Sequence, residues 1–290
     1  MIETQLMGQF PPGFRATERI NLSELVRNAT GARPPRNPST QIRDARALQA
    51  QATSEADFLA EHGFVLLDAP TRVTDWGNSE QVAEYYPPEV EAMIRDRLFL
   101  GRKLFVHQPP NVMRRGAGTS VPQYGLGVHS DHGTTADDFQ RNVEAFTNAE
   151  MGAKWRASFE QDTVEGFISL DFWRTTGMAG PLKHMPLALC DPTSLEAADI
   201  IPTALEGIAP GGALTYHVSL AHNQGQRWYY YPDMQPHEVL VFKLFQLMRN
   251  EDSQPYRACF HTAFEDPSTP ADAQPRQSCE HRVSVVLLRD

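Results

Sequence analysis

Two potential metal ligands, His129 and Asp131, lie two residues apart within the stretch Leu126–Gly133. In an extended strand, residues i and i+2 point to the same face, so both side chains can reach one ion. An imidazole nitrogen beside a carboxylate oxygen suits a divalent first-row metal, and one more histidine would complete the facial triad used by non-haem iron oxygenases. Glycines within and beside the stretch allow close approach of backbone and ligand. A His-x-Asp pair alone is also typical of a surface turn, so the pattern needs a third ligand.

A suitable third ligand is His261, which lies far downstream at the end of a strand-like run. In a double-stranded β-helix, strands that are distant in sequence pair with each other, so His261 can reach the first two ligands. The alternative is a core histidine that hydrogen-bonds to the backbone. The strand order favours the metal-ligand interpretation.

The composition limits the class of protein. Of the 290 residues, 41% are hydrophobic and 21% are charged, as in ordinary globular proteins. The net charge of −10 argues against nucleic-acid binding, which needs a basic surface. No apolar run approaches the ~20 residues of a membrane span, and the first residues do not resemble a secretion signal. The three scattered cysteines fit neither a metal cluster nor a disulfide framework, which favours a reducing cytoplasm.

Many short strands without regular alternation with helices predict a mainly β fold with flanking helices, either an antiparallel sandwich or a barrel. We expect an extended N-terminal arm over residues 1–40, with one short helix, followed by a single domain over residues 41–290. Helices are predicted at 42–61, at 79–97 with an interruption at Pro87–Pro88, and in an insertion near 137–159 that could cover the site. Strands are predicted at 63–67, 98–108, 164–173, 186–190, 213–220, 228–231, 239–245, 257–264 and 281–288.

The C-terminal segment offers a binding surface for an anion. Arg276, Arg282 and Ser284 share one face of a strand if the pairing is regular. Two guanidinium groups on that face would suit a dicarboxylate such as 2-oxoglutarate. Arg276 is as well explained as an ordinary surface residue, whereas Arg282 stands in an otherwise apolar strand, where a charge should have a partner. We therefore expect loss of Arg282 to impair cosubstrate binding more than loss of Arg276.

The chain resembles the hydroxylase/desaturase family that includes the cephamycin methoxylation subunit and the aspergillic-acid-cluster hydroxylases. The matching segments run in family order over about residues 40–290: Arg43–Arg46, Glu61–Phe64, His129-x-Asp131, Phe172–Arg174, Pro186–Asp191, Arg227–Tyr230, His261–Phe264 with Asp266–Pro267, and Arg276–Arg282. This resemblance implies an Fe(II)/2-oxoglutarate oxygenase with a double-stranded β-helix (jelly roll, cupin-like) fold. It implies His129, Asp131 and His261 as iron ligands and an arginine near the C-terminus as the cosubstrate anchor. The family pattern differs from this chain at His132, Asp171 and Gln246, which leaves the reaction outcome open.

Two neighbouring residues are candidates for the substrate site. Trp173 could form a pocket wall and Arg174 could bind a substrate carboxylate, although a core tryptophan and a paired arginine explain them equally well. Three further histidines, His132, His217 and His222, could supply protons or substrate contacts, but the sequence favours none of them.

The sequence thus predicts an enzyme that uses Fe(II), 2-oxoglutarate and O2 to hydroxylate, desaturate or cyclise a small metabolite in natural-product biosynthesis. Two alternatives stay open: an iron oxygenase or oxidase that does not use 2-oxoglutarate, and a non-catalytic β-helix binding protein. The sequence identifies neither the substrate nor the oligomeric state.

Overall fold

The computed structural model describes residues 1–27, 37–249 and 256–290. Its strands are β1 (Ile2–Thr4), β2 (Ile20–Asn21), β3 (Thr40–Asp44), β4 (Phe64–Asp68), β5 (Leu104–His107), β6 (Met113–Arg115), β7 (Val164–Thr175), β8 (Leu187–Cys190), β9 (Ile200–Leu205), β10 (Thr215–Leu220), β11 (Trp228–Tyr230), β12 (Glu238–Met248), β13 (His261–Ala263) and β14 (Ser278–Leu288). Its α-helices are α1 (Leu22–Arg27), α2 (Ala45–Gln49), α3 (Glu55–His62), α4 (Ser79–Met93), α5 (Ala136–Phe146) and α6 (Ala149–Phe159). Within these ranges, no helix is long and apolar enough to span a membrane.

The larger sheet is built around β7, which is almost entirely buried. Its strand order is β4-β12-β7-β14-β5, and β6 also pairs with β14. The long central strands pair antiparallel, with Asp171 of β7 between Phe242 of β12 and Arg282 of β14. Because side chains alternate across a strand, these three residues point to the same face of the sheet. This register therefore brings sequence-distant polar residues together.

Two smaller sheets, β1-β3-β11-β8-β13 and β10-β9-β2, are connected through the segment at residues 128–131. His129 forms an antiparallel bridge with His261 of β13, and Ser130 forms one with Val218 of β10. These bridges make one continuous curved surface opposite the larger sheet. The result is the double-stranded β-helix predicted from the sequence.

The main hydrophobic core lies between the larger sheet and helices α3 and α4. Helix α3 begins at its N-cap Ser54, whose hydroxyl accepts a hydrogen bond from Asp57 N, and ends at Gly63. Gly63 has a φ of 75°, and a Cβ there would lie 2.9 Å from Cys259 Sγ. Only glycine fits this conformation and this close approach, which turns the chain directly into β4.

Every segment predicted as a strand contains one, but three other predictions fail. The predicted helix at 42–61 begins as strand β3, which pairs with β1 and β11. The predicted break at Pro87–Pro88 does not occur. The two prolines lack the backbone N–H groups for helical hydrogen bonds, but buried Val82, Tyr86 and Val90 hold one face of α4 against the core and compensate for this loss. Strand β9 was missed because it contains Pro202, a residue that usually argues against a strand.

The segment expected to form an N-terminal arm packs along the sheets. Strand β1 pairs with β3, and β2 pairs with β9. Helix α1 lies where a short helix was predicted, although residue 28 at the predicted end lies outside the described residues.

A bidentate ion pair joins α2 to the start of β12. The Arg46 Nη1 and Nη2 atoms lie 2.8 and 2.7 Å from the two carboxylate oxygens of Glu238. Burial alone would raise the pKa of Glu238, but the hydrogen bonds from Arg46 and from Gln235 N, together with the charge of Arg46, lower it. A carboxylate with a lowered folded-state pKa stabilises the fold above its unfolded pKa, and this contribution is lost as the pH falls.

We therefore expect Glu238→Gln to reduce the free energy of unfolding by about 1 kcal/mol at pH 7, since the pair is partly exposed. The difference from the wild type should shrink as the pH falls below about 4.3, the unfolded-state value, and disappear below the lowered folded-state pKa of Glu238. Urea denaturation at several pH values measures both effects. A difference that is constant with pH would show that the ion pair is not its source.

Candidate active site

Backbone hydrogen bonds place the three predicted metal ligands on one surface. His129 N donates to His261 O at 3.3 Å, and His261 N donates to His129 O at 2.9 Å. The two imidazole rings are consequently neighbours, with centroids 4.5 Å apart. Asp131 follows on the same face as His129. One potential ligand atom from each of the three side chains lies within 4.8 Å of the other two.

The second nitrogen of each histidine is held by the backbone. His129 Nδ1 lies 2.6 Å from Gly127 O, and His261 Nδ1 lies 3.2 Å from Cys259 O. A carbonyl oxygen can only accept, so each Nδ1 carries a proton. Nε2 of His261 is then available to a metal, and a metal at Nε2 of His129 would displace the proton that this atom shares with Asp131. The bonds at Nδ1 orient both rings for metal binding through Nε2. Two imidazole nitrogens and one carboxylate on one face therefore fit a facial divalent-metal site.

The electrostatics keep the carboxylate ionised. Asp131 Oδ2 lies 2.9 Å from Arg282 Nη2, and Asp131 Oδ1 lies 3.3 Å from His129 Nε2. Burial alone would raise the pKa of Asp131, but the Arg282 charge and the His129 hydrogen bond hold it well below its usual range. Burial, together with the charge of His129, lowers the pKa of His261 to about 4. At neutral pH, Asp131 is therefore charged and His261 is neutral, as a metal site requires.

A small cavity that is open to solvent lies beside His129 and His261. Its wall is formed by residues of the larger sheet, of strands β8 and β13, and of the segments next to these strands. These residues are Arg115, Gly125, His129, Asp171, Trp173, Leu187, Phe242, His261, Ala263, Arg276, Glu280 and Arg282. The predicted residues Trp173, Arg276 and Arg282 are thus brought to the metal ligands. Charged residues and histidines make up about half of this wall, and Trp173, Leu187 and Phe242 supply its apolar part, so the space suits a small polar ligand.

The two arginines of the cavity have different surroundings. Arg282 contacts Asp131 and also Glu280, whose Oε2 lies 3.2 Å from Arg282 Nη2. Arg276 is almost fully buried, and no carboxylate of the described residues lies within ion-pair distance of it. Burial lowers the pKa of Arg276 to about 10. Arg276 is therefore a buried cation without a counterion, whereas the charge of Arg282 is already neutralised.

Aromatic rings and backbone atoms hold the Arg276 guanidinium in place. It lies 4.3 Å from the ring centroid of Tyr124 and 5.4 Å from that of Trp173, and it donates to Met185 O. Its Nε has no hydrogen-bond partner among the described residues, and neither does the buried hydroxyl of Ser278, two residues later. Two unsatisfied donors and an unpaired charge together favour an anionic ligand at this end of the cavity.

Two of the predicted site residues do not line the cavity. Ser284 lies beyond Arg282 on β14, where it pairs with Ser169 and His107. Arg174 follows Trp173 on β7, and consecutive strand residues point to opposite faces, so it enters the main core instead. Its guanidinium donates to Ala69 O at 3.2 Å and to Pro236 O at 2.7 Å. The structure therefore does not bring Arg174 to the site, contrary to its expected role with the substrate.

This position predicts a structural role for Arg174. We expect Arg174→Ala to lower the free energy of unfolding by about 2 to 4 kcal/mol, because two buried carbonyls lose their donor and a cavity forms. The folded variant should bind metal and 2-oxoglutarate within about twofold of the wild type. Thermal denaturation and ligand titration measure the two properties. Unchanged stability combined with impaired ligand binding would return Arg174 to the site.

Sequence reasoning missed several residues of the cavity. Glu280 ion-pairs with both Arg115 and Arg282, and it lies between Arg276 and Arg282 on the strand. Glu280 is separated from Arg276 and Arg282 by even numbers of residues, so the strand pattern could have predicted that it shares their face. Burial and the nearby Glu280 raise the pKa of Asp171 well above its usual range. Nothing in the local sequence indicated this change in the pKa of Asp171.

The helical insertion closes one end of the barrel. Helix α5 is N-capped by Thr135 and α6 by Asn148. Phe139 of α5 packs against Phe167 and Phe245, which project from the larger sheet. The insertion therefore packs against the larger sheet through an aromatic cluster, and its role in covering the site stays a prediction.

Comparisons with known proteins agree with this architecture. A family model described as "Oxidoreductase/YMDC permease-like domain" matches residues 18–286. Aspirochlorine biosynthesis protein N of Aspergillus oryzae is 34% identical over 118 residues, which cover 40% of this chain and 46% of that protein. Hydroxylase/desaturase asaB of Aspergillus flavus is 30% identical over 128 residues, covering 39% of this chain and 55% of that protein. The matched segments thus span about half the length of these two relatives.

Among solved structures, the iron and alpha-ketoglutarate-dependent endoperoxidase NvfI superposes with a TM-score of 0.65 and 20% sequence identity. The match covers 99% of this chain and 98% of that chain. At this level of identity, the similarity establishes the fold. It confirms the double-stranded β-helix, and the hydroxylase/desaturase relative confirms the resemblance on which the sequence prediction depended.

Proposed function

The chain belongs to the Oxidoreductase/YMDC permease-like domain family, and from this membership and the geometry of its site we propose that it is an Fe(II)- and 2-oxoglutarate-dependent oxygenase. The observation that carries the proposal is the convergence of potential ligand atoms from His129, Asp131 and His261. In both histidines, Nδ1 bonds to a backbone carbonyl, which leaves Nε2 for the metal. One relative is named a hydroxylase/desaturase, and the structural neighbour is named an iron and alpha-ketoglutarate-dependent endoperoxidase. Both names support the same class of oxygenase.

His129, Asp131 and His261 would hold the iron. A metal bound by three protein ligands on one face keeps open positions for cosubstrate and oxygen, and it supplies the oxidising power to remove hydrogen from a substrate C–H bond. Arg282 keeps Asp131 ionised and oriented through its 2.9 Å contact. Such contacts around the ligands typically change metal affinity or activity by about 10- to 100-fold when they are lost.

We assign the distal carboxylate of 2-oxoglutarate to Arg276 and Ser278. The buried Arg276 has no counterion, and both residues carry unsatisfied buried donors. A carboxylate would satisfy these donors with charge-assisted hydrogen bonds. The sequence had favoured Arg282, but its pairing with Asp131 and Glu280 argues for Arg276.

The substrate is proposed to be a small metabolite of natural-product biosynthesis, as the name of the Aspergillus oryzae relative suggests. The cavity next to His129 and His261 supports a small-molecule ligand. Cys190, Cys259 and Cys279 are buried free thiols, which supports the cytoplasm as the proposed compartment.

The proposal is tested by product formation. Purified protein with Fe(II), 2-oxoglutarate and O2 is expected to release succinate, and omission of any one of them should stop it. His261→Ala should be inactive, whereas His222→Ala, which alters a histidine outside the triad and outside the lining of the cavity, should retain activity. Oxygen consumption that does not need 2-oxoglutarate would favour the alternative iron oxidase, and an absence of turnover in all cases would favour a binding protein.

A further inference from the structure

Glu280 of β14 lies in the cavity wall and bonds to two arginines through different oxygens. Its Oε1 accepts from Arg115 Nε, and its Oε2 accepts from Arg282 Nη2 at 3.2 Å. Glu280 and Arg282 are two residues apart, so they share the face of β14 that lines the cavity. Arg115 comes from β6, where it pairs with Ser278 of β14. The pairing of β6 with β14 therefore brings the three charges together.

Arg282 extends these contacts to the proposed metal site. Its Nη2 atom lies between two carboxylates, 3.2 Å from Glu280 Oε2 and 2.9 Å from Asp131 Oδ2. The four residues thus form a series of alternating charge, positive at Arg115, negative at Glu280, positive at Arg282 and negative at Asp131. Each contact in the series is an attraction between opposite charges.

The two oxygens of Asp131 have different neighbours. Oδ1 lies 3.3 Å from His129 Nε2, the nitrogen proposed to bind the metal, whereas Oδ2 contacts Arg282. A carboxylate oxygen that accepts a bond from a guanidinium is a weaker ligand for a metal than the oxygen left free. Arg282 therefore directs Asp131 to bind the metal through Oδ1, beside His129.

Packing alone does not hold Arg282 in this position, because its side chain is 40% exposed. A divalent metal at Asp131 would also repel the guanidinium and draw away part of the carboxylate charge that attracts it. The other carboxylate in contact with Arg282 is that of Glu280, which is buried and is held from its other side by Arg115. Glu280 is thus placed to keep Arg282 against Asp131 when the metal is bound.

We propose that Glu280 is a positioning residue of the metal site, which acts through Arg282 to keep one oxygen of Asp131 for the metal. This inference rests on the proposed oxygenase function. Glu280 is not one of the three residues whose potential ligand atoms converge. Its loss should therefore change the affinity and geometry of the site without removing a ligand.

The affinity is measured with Mn(II), whose EPR signal distinguishes free from bound ion. Glu280→Gln keeps the shape of the side chain and removes its charge. It should raise the Kd for Mn(II) by about 3- to 10-fold, less than the 10- to 100-fold expected when Arg282→Gln removes the direct contact with Asp131. The matched control is Glu238→Gln, because Glu238 is a similarly buried partner of Arg46 outside the cavity lining. This control should bind Mn(II) as the wild type does.

A double-mutant cycle tests whether Glu280 acts through Arg282. If it does, adding Glu280→Gln to Arg282→Gln should weaken Mn(II) binding by less than about twofold beyond Arg282→Gln alone. If the charge of Glu280 instead attracts the metal directly, the two effects should multiply, and that result would overturn the positioning role. Should Glu280→Gln not fold, Glu280→Asp, which withdraws the carboxylate from Arg282, takes its place in the same cycle with the same expected result.

The geometry is measured with Co(II), whose visible absorption depends on the number of its ligands. Wild type and Glu238→Gln should give the same spectrum, and Glu280→Gln a different one, because Asp131 is then free to bind through both oxygens. An unchanged Mn(II) affinity or an unchanged Co(II) spectrum in Glu280→Gln would overturn the positioning role while wild-type protein still binds Mn(II) and 2-oxoglutarate. Failure of wild-type protein to bind Mn(II) and 2-oxoglutarate would overturn the proposed function, and the positioning role with it.

Discussion

Replacing Asp131 with asparagine is expected to weaken Fe(II) binding by more than about 100-fold. The change keeps the shape of the side chain but removes the one charged ligand of the triad. It also leaves His129 Nε2 and Arg282 without their anionic partner. Losing an interaction that only orients a ligand costs about 10- to 100-fold, so losing the ligand charge itself should cost more. Anaerobic equilibrium dialysis with Fe(II) measures the affinity.

The matched control for this variant is Asp171→Asn in the same cavity. Asp171 is not among the three residues whose ligand atoms converge, and burial and Glu280 raise its pKa, so the same substitution removes no metal ligand there. Its Fe(II) affinity should stay within about threefold of the wild type. If Asp131→Asn bound Fe(II) as tightly as Asp171→Asn, then Asp131 would not be a ligand.

Replacing Arg276 with leucine is expected to raise the Kd for 2-oxoglutarate by about 10- to 100-fold, since a charge-assisted fork contributes about 1.5 to 3 kcal/mol. The folded apo-protein should change little in stability, because the substitution also removes a buried cation that has no counterion. Ser278→Ala should raise the Kd by about 3- to 10-fold through loss of one neutral hydrogen bond. Isothermal titration in the presence of Fe(II), without oxygen, measures these constants.

Arg282→Lys serves as the comparison. It keeps a positive charge near Asp131 and Glu280, and its effect on the 2-oxoglutarate Kd should remain below about threefold. A larger effect at Arg282 than at Arg276 would support the preference derived from the sequence and would move the anchor to Arg282.

The strands and the shared face of His129 and Asp131 were predictable because they depend on local rules, whereas the position of His261 depended on the pairing of distant strands. The spacing of His129 and Asp131 implied a shared face, and strand-like segments ending at His261 implied a third ligand within reach. Trp173 and Arg174 could also have been separated in advance, because consecutive strand residues point to opposite faces. The expectation that both face the substrate disregarded that rule.

Other features depend on contacts between distant parts of the chain. The choice between Arg276 and Arg282 follows from where Asp131 and Glu280 lie, and only the fold brings Asp131 to Arg282. Helix α5 is joined to β10 through Asn142, whose side-chain amide bonds to the backbone N–H and carbonyl of Tyr216. Sequence patterns carry residue type and spacing, but they do not carry such chains of hydrogen bonds.

The most direct test of the proposed iron and 2-oxoglutarate site is an anaerobic absorption titration. Addition of Fe(II) and then 2-oxoglutarate to wild-type protein should produce a metal-to-ligand charge-transfer band that saturates at one equivalent of each. The band should be absent in His261→Ala, and in Arg276→Leu it should require about 10- to 100-fold more 2-oxoglutarate. Stoichiometric Fe(II) binding without any band on addition of 2-oxoglutarate would contradict the account, and so would a protein that binds no Fe(II).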